Sequence, residues 1–584
     1  MERIETDLLV IGSGCGGLST AVTARKAGLE VIVAEKEPVF GGTTAFSGGV
    51  LWIPGNRHGR AHNPGDTREA ARQYLRNETG EGFDAAAVDA FLDAAPAAVE
   101  WFERETEVRF VPTLYPDYHP TVPGGVDIGR SILAAPYDIR GLGADMARLR
   151  PPLQTITFIG MMFNSSNADL KHFFNATKSL TSFVYVARRL ATHVQELVRY
   201  GKGIQVTSGN ALAARLARSA LAAGVPIWTE APALKLVQQA GSPSGPVVGA
   251  VIRRNGQEVE VRTRRGVVLA CGGFPHDARR IAQAYPHLRS GGEHLSPVPT
   301  GNTGDGIALA ESVGGQFDLR FPSASAWMPV SRVENSDGSV GVFPHLLDRY
   351  KPGVIGVLRN GRRFCNESES YHDVGAAMVE ACRGQPETAA WLVCDATALA
   401  KYGLGYVKPA PVPHGRFLRN GYLKQGATLA ELAAACGIDA AGLERTVREY
   451  NVHAAKGEDP AFGRGRTAFN RYLADPTNQP NPCVAPLAQG PYYAVKLLMG
   501  DLGTFDGLRT SPVGEVLTAA GTAIPGLYAV GNDRASLMGG NYPAAGITLG
   551  PNLVFGWLLG RHVAGVGQAG NQAGSAPQEQ RHAA

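Results

Sequence analysis

Long apolar runs, paired cysteines and metal-binding motifs are all missing from this chain. No stretch of about 18 consecutive apolar residues occurs, so no membrane-spanning helix is expected. The seven cysteines, Cys15, Cys271, Cys365, Cys382, Cys394, Cys436 and Cys483, are scattered, odd in number and without a CxxC pair. Reduced thiols and no metal site are therefore expected. No HExxH and no Ser/His/Asp pattern is found, which disfavours hydrolysis. The formal net charge of +4 is too mild to call for a nucleic-acid partner. A strand is expected within a few residues of Met1, which leaves no room for a secretory leader. A cytoplasmic location is therefore expected, with peripheral attachment to the inner face of the membrane left open.

The 584 residues exceed one typical domain, so two or three are expected. Hydrophobic content of 44% against 18% charged describes a chain with well-formed cores. The 73 glycines suit a fold with several close backbone contacts to a ligand.

Asp7–Ile11 reads as a short buried strand running into Gly12-Ser13-Gly14-Cys15-Gly16-Gly17, a GxGxxG. Leu18–Ala27 reads as a helix, and Val31–Ala34 as a second strand ending in Glu35. This is a dinucleotide-binding βαβ unit. Gly12 permits the tight turn, Gly14 lets the backbone approach the pyrophosphate, and Gly17 allows close helix packing. The helix N-terminus faces the phosphates, and Glu35 is placed for the ribose hydroxyls. NAD and FAD both use this unit, and three later segments of the chain favour FAD. A second Gly- and hydroxyl-rich loop, Gly41 to Gly49, suits an extended FAD and the edge of its flavin. Gly266–Phe274 and Ile524–Asp533 add two further strands, each ending in a tight turn, and an acid in Gly531-Asn532-Asp533 can hold the ribityl chain.

Between these segments, 209–224 reads as a helix, and 233–237 and 247–253 as strands of a small antiparallel sheet. Thr300 to Gly306 is another Gly loop entering a helix. Residues 153–163 are an apolar patch. Beyond it, Phe183, Val186, Leu190, Val194 and Leu197 have helical spacing, with Lys178, Arg188, Arg189, His193, Arg199 and Lys202 on a basic side. A lid, a dimer element or a membrane contact through 150–202 all suit that pattern, and His193 is expected to be solvated.

Near the C-terminus, Gly539-Gly540-Asn541-Tyr542-Pro543-Ala544-Ala545-Gly546 presents one tyrosine from a glycine-rich turn, ahead of a helix-like run at 552–559. A tyrosine hydroxyl, a close glycine amide and a new helix N-terminus suit holding and polarising an oxygen. Two more tyrosines stand in irregular, Pro- or Gly-bounded surroundings. One is Tyr118, in Tyr115-Pro116-Asp117-Tyr118. The other is Tyr371, just after Asn360 to Glu367, which reads as a hairpin turn and strand. A tyrosine is a poor base until something stabilises its anion, and a second tyrosine is one such partner.

On Gly12–Gly17, Gly41–Gly49, Thr300–Gly306, Arg363–Glu367, Gly526–Asn532 and Tyr542-Pro543-x-x-Gly546-x-Thr548-x-Gly550-Pro551, the chain resembles the flavoproteins related to the fumarate reductase flavoprotein subunit. Within them it is most similar to the 3-ketosteroid Δ1-dehydrogenases. The resemblance implies an α/β fold: a Rossmann-type FAD-binding domain over 1–324 plus 486–564, with an inserted α+β substrate-capping domain over 325–485. A helical insertion at about 131–205 and a Gly/Ala/Gln-rich, disordered tail at 565–584 are read from pattern and composition, and the resemblance covers the chain except for roughly 140–205 and that tail. It implies that Tyr542 and Gly546 bind a ketone oxygen while Tyr118 and Tyr371 accept a proton. Noncovalent FAD is implied, since Gly42 stands where covalent-flavin relatives carry histidine. The expected cofactor contacts are Gly12, Gly14, Gly17, Glu35, Lys36, Gly42, Thr43, Thr44, Ser47, Gly48, Gly49, Ala233, Gly272, Gly273, Asp305, Gly531, Asn532 and Leu549. The implied activity is α,β-desaturation of a lipophilic cyclic ketone, most readily a 3-ketosteroid, with a quinone-like electron acceptor. A smaller cyclic ketone, reduction of an activated alkene and a flavin-binding redox sensor remain as alternatives. Oligomeric state stays open. The Ala544-Ala545 pair departs from the family's Pro-Gly-Pro-Gly turn.

Overall fold

The computed structural model describes residues 1–158, 160–162, 172–173, 179–239, 245–289, 291–334 and 338–566. The first strand, Glu2–Ile11, is longer than the apolar run that marks it. Within that run successive side chains go to opposite faces. Leu8 and Val10 enter one apolar core, and Leu9 and Ile11 enter another on the far side of the sheet. The same alternation divides Val31 and Val33 from Ile32 and Ala34. Burial on both faces explains why these strands read as unbroken hydrophobic runs.

This first sheet has eight strands. Glu515–Leu517, Ala523–Ala529, Gln257–Leu269, Glu2–Ile11, Val31–Ala34 and Ile227–Trp228 lie side by side. Val247–Arg254 folds back antiparallel on the first half of Gln257–Leu269, with Ala233–Gln238 beyond it. Ile11 is level with Ala34 and Leu269, and Leu269 with Ala529, all in parallel register. The carboxyl ends of four parallel strands therefore share one edge, which is where such sheets take ligands.

Two helices cover that edge from one side. Cys15–Lys26 packs on Leu549–Val563, a helix that starts three residues earlier than the apolar run at 552–559 suggests. Their approach depends on missing side chains. A Cβ on Gly556 would lie 2.7 Å from Ser19 Cβ, and one on Gly560 would lie 2.7 Å from Thr23 Cβ.

The second layer is a six-stranded antiparallel sheet. Its central strand is Tyr492–Thr504, paired with Ser325–Glu334, Ala389–Asp395 and Leu423–Gly426. The cap was expected to end at 485, yet this strand lies beyond that boundary and is the one that three others need as a partner. The insertion expected from 131 also starts too early. Ser131–Ala134 is a buried strand paired with Val50–Trp52 and Phe110–Pro112.

The amphipathic segment is the helix Leu180–Tyr200, and its inner face is mixed, with Val186, Leu190 and Leu197 half-buried beside buried polar residues while Arg188 and Arg199 stay exposed. Ser182, His193 and Glu196 are buried, while Phe183, Val184 and Val194 are more than half exposed. Glu196 accepts the Ile204 amide at 3.1 Å and lies 3.7 Å from His193 Nδ1, which draws that side inward. His193 is thus buried rather than solvated. Lys178, positions 159 and 163 of the apolar patch, and the tail from 567 lie outside the described residues.

Gly560→Val is expected to lower stability by about 1–3 kcal/mol through overpacking. Thermal denaturation of the FAD-loaded protein reads this, and an unchanged midpoint would contradict the packing described.

Candidate active site

The loop after Glu2–Ile11 contains three glycines with three different reasons. Gly12 has φ +110°, and a Cβ there would strike the Ala270 carbonyl. At Gly17 a Cβ would strike the Gly12 carbonyl oxygen. Gly14 has space: the only neighbour within 4 Å of a Cβ is Thr44 Oγ1, at 3.7 Å. Backbone packing thus requires glycine at 12 and 17, whereas at 14 the open space suits a group from outside the chain. The helix Cys15–Lys26 has no side-chain cap and presents its first-turn amides at the same place, as a pyrophosphate requires.

Glu35 ends the second strand almost fully buried. Its Oε2 accepts from the Ser13 amide at 3.1 Å and from Ser13 Oγ, and its Oε1 accepts from the Glu37 amide at 3.0 Å. Ser13 Oγ also accepts from the Gly41 amide at 3.0 Å, so one serine joins both cofactor loops to the acid. In the second loop Gly42 opens a single 3-10 turn with φ +50°. Thr44 Oγ1 accepts from the Cys15 amide at 2.9 Å, and Thr43 Oγ1 from Asn302 Nδ2 at 2.8 Å. Ser47 Oγ donates to the Thr44 carbonyl and accepts from the Gly49 amide, around Gly48. Lys36 Nζ lies 2.6 Å from Asp305. Ala233 begins a strand just after Glu230 and Ala231, whose amides bond the Glu37 and Glu35 carbonyls.

The acid of Gly531-Asn532-Asp533 differs from expectation. Asp533 is fully buried, and its carboxylate accepts the Cys271 amide at 2.6 Å and the Gly273 amide at 2.9 Å. It braces the Gly272-Gly273 turn instead of facing a ribityl chain, and burial raises its pKa. Asn532 is the half-buried member, 3.4 Å from Asn552 on the last helix. Leu549 opens that helix.

Three tyrosines converge in front of this cradle. The ring of Tyr118 lies 6.0 Å from Tyr371 and 5.8 Å from Tyr542, and Tyr371 lies 4.9 Å from Tyr542. All three are buried. The Tyr371 ring packs edge-on against both of the others, which brings all three phenols into one cluster. Burial pushes Tyr118 and Tyr371 well above the ordinary tyrosine range. Tyr542 is also raised by burial, while Tyr371 and Thr548 pull it back.

The backbone explains the convergence. Tyr118 N–H donates to the Pro543 carbonyl at 2.8 Å, and the Tyr74 hydroxyl donates to the same oxygen at 2.7 Å. Beside them, Asp117 accepts from Trp52 Nε1 at 2.9 Å and from Arg130 at 2.8 Å. Burial pushes the Asp117 carboxyl up to about 6, against the pull of Arg130 and Trp52. Gly546 has φ +93°, and its carbonyl accepts the Trp52 amide at 3.0 Å. Among the described residues no acceptor bonds the Gly546 amide.

Tyr371 is the first residue of the helix Tyr371–Ala381, capped by Ser370. The stretch before it, 363–367, is not the expected strand. Arg363 and Glu367 are drawn instead into buried ion pairs with Asp459 and Arg464. Sequence reasoning also missed the polar neighbours of the tyrosines. His119 lies between Glu78, at 2.8 Å, and Asp373, at 3.0 Å. Burial alone would lower its pKa, but those two carboxylates raise it to about 11. His372 is neutral, pushed down to about 4 by burial. The available signal was adjacency: His119 comes directly after Tyr118, His372 and Asp373 directly after Tyr371, and Asn541 directly before Tyr542.

A parallel-strand edge with a pyrophosphate cradle, facing a second layer that supplies buried hydroxyls, defines a two-layer flavoprotein. The family model described as FAD binding domain matches residues 7–549, and the chain belongs to that family. It is 44% identical over 569 residues to the 4-oxocyclohex-2-ene-1-carboxylate 5-dehydrogenase of Sinomonas cyclohexanicum, covering 97% of this chain and 95% of the relative. It is 36% identical over 574 residues to a 3-oxosteroid 1-dehydrogenase of Mycobacterium tuberculosis, covering 96% and 98%. The crystal structure of 3-ketosteroid delta1-dehydrogenase from Sterolibacterium denitrificans, in complex with 1,4-androstadiene-3,17-dione, superposes with a TM-score of 0.87 at 33% identity, covering 96% of this chain and 99% of that one. The protein is an FAD-dependent oxidoreductase.

Gly14→Ala is expected to fold, because the protein leaves space for the methyl, but to lose FAD affinity by about tenfold or more where that methyl meets the pyrophosphate. Flavin absorbance per protein and FAD titration of the stripped protein read the difference. Full retention of FAD would contradict the assignment of that space.

Proposed function

We propose that the protein desaturates a cyclic ketone at the carbons α and β to its carbonyl. The observation that carries this reading is the packing of three buried tyrosine rings, one of them on the loop that also carries the unbonded amide of Gly546. The ketone oxygen sits between Tyr542 Oη and the Gly546 N–H, two donors that stabilise negative charge as an enolate develops. The α-proton, acidified in this way, passes to the phenolate form of the Tyr371–Tyr118 pair. FAD, when bound, supplies the acceptor for the hydride from the β-carbon. The two glycine loops, Glu35 and Lys36 hold the cofactor, with Asn532 rather than Asp533 on the open side.

Two substrate classes are supported by different observations. A 3-ketosteroid is favoured by the whole-chain likeness to the steroid-bound structure. A monocyclic keto acid is favoured by the 44% identity to the cyclohexene-carboxylate enzyme. A lipophilic quinone would suit as electron acceptor. The exposed Leu180, Phe183, Val184, Val194 and Val198, on a helix that also carries Arg188 and Arg199, support contact with a membrane surface, where quinone and steroid would both collect. No helix among the described residues is long and apolar enough to cross a membrane.

Tyr542→Phe is expected to lower kcat by roughly 10²-fold or more. Near-normal turnover would remove the oxyanion role. Because burial raises Tyr118 and Tyr371, the phenolate is a minor form at neutral pH and grows as pH rises. The logarithm of kcat should therefore climb from about pH 6 to about pH 9 without a plateau, and a plateau near pH 7 would assign the base elsewhere. For the membrane contact, wild-type protein should sediment with anionic vesicles and a Phe183→Glu/Val194→Glu variant should not. Equal sedimentation of the two would remove that contact.

A further inference from the structure

Tyr371 belongs to the second layer, whereas Tyr118 and Tyr542 belong to the first. The helix Tyr371–Ala381 is seated on the cap sheet, where a Cβ on Gly375 would come within 2.7 Å of Trp327 Cβ. The ring contacts that make the tyrosine cluster therefore cross between layers, and something must hold those layers in register.

The polar neighbours of the three tyrosines do this. Asp373, two residues after Tyr371, lies 3.0 Å from His119 Nε2, the residue after Tyr118. His119 Nδ1 lies 2.8 Å from Glu78 on the helix Arg68–Thr79. The Glu78 carbonyl accepts from Asn541 Nδ2 at 2.6 Å, the residue before Tyr542. On the cap side, Ser370 Oγ donates to Asp373 Oδ2 at 2.6 Å and fixes its rotamer. His372 Nδ1 accepts the Trp327 amide at 3.1 Å, and the same ring lies 6.3 Å from the ring of Tyr542. Every tyrosine-bearing segment is thereby tied to another through a neighbour of the tyrosine itself. His119 joins the layers through two carboxylates, Glu78 on one side and Asp373 on the other.

We propose that His119, held between Glu78 and Asp373, is a positioning residue that clamps the cap-borne Tyr371 onto Tyr118 and Tyr542. It touches neither substrate nor cofactor. It acts by fixing the separation across which the Tyr371–Tyr118 pair meets the α-proton, and displacements near 1 Å at such a site cost about 10²-fold in rate. Its kinetic consequence rests on the desaturation reading, and its structural consequence does not.

The test compares His119→Gln, Asp373→Asn and the double variant with wild type, all FAD-loaded. Each single variant should lose roughly 10- to 100-fold in kcat with KM changed by less than about threefold, because binding by Tyr542 and Gly546 survives while alignment does not. The double variant should be no slower than the slower single, since both substitutions break one contact. Asp373→Glu, which keeps the charge, should recover part of the loss. Hydrogen exchange, read without any ketone, should quicken at 115–122 and 371–375 in both single variants and stay unchanged in the first sheet. Additive losses in the double variant, or kcat within about twofold of wild type in either single, would overturn the clamp. If wild type turns over no ketone, the desaturation reading fails, and the exchange arm decides the clamp alone: unchanged exchange at those two segments overturns it.

Discussion

The grip on residues 540–546 is the constraint on which the rest of the site depends. Two donors, the Tyr118 amide and the Tyr74 hydroxyl, share the Pro543 carbonyl. Ser131 Oγ donates to the Ala545 carbonyl at 3.0 Å, and the Trp52 amide to the Gly546 carbonyl. A Cβ at Gly546 would come within 2.6 Å of the Trp52 amide nitrogen, so only glycine allows the loop to lie on the strand Val50–Trp52. With its carbonyls spoken for and its backbone pressed against the first layer, the loop has one direction left in which to present the Tyr542 ring and the Gly546 amide. That direction is the gap between the layers.

Desolvation supplies the other half of the chemistry. The cluster excludes water, so a tyrosine anion is costly there and a phenolate, once formed, is strongly basic. The same dryness strengthens two donors aimed at a carbonyl oxygen. The charged groups near the site are paired. Asp117 is neutralised by Arg130, and the His119 pair stands at the partly exposed margin. The site thus polarises an oxygen with neutral donors instead of gripping a carboxylate with cations.

Much of this was legible in the sequence. The βαβ unit announces itself because its strands are buried on both faces and its glycines stand where backbone packing leaves no space for a side chain. Tyr542 and Gly546 stand out as a tyrosine and a glycine in one Gly-rich turn before a helix, but the role expected of them comes from the family resemblance and not from the turn itself. Three features were not. The strand Tyr492–Thr504 belongs to the cap although it lies past the expected boundary, because pairing across a sheet leaves no local mark in a chain. Asp533 reads as a ligand-facing acid, but two backbone amides claim it first. The helix Leu180–Tyr200 buries His193 and Glu196 among the half-buried Val186, Leu190 and Leu197 and leaves Phe183 and Val194 exposed, a split that the apolar spacing does not mark. In each case a long-range partner, invisible to spacing, decided the outcome.

A cyclic ketone alone must be able to deliver a hydride and a proton to this site. The direct measurement is anaerobic mixing of the FAD-loaded protein with a 3-ketosteroid and, separately, with 4-oxocyclohexanecarboxylate, following the flavin absorbance and the appearance of the conjugated ketone. At least one of them is predicted to bleach the flavin, with one equivalent of desaturated ketone formed per flavin. A flavin that stays oxidised with both ketones, in protein that binds FAD fully and is bleached by dithionite, would contradict the desaturation chemistry.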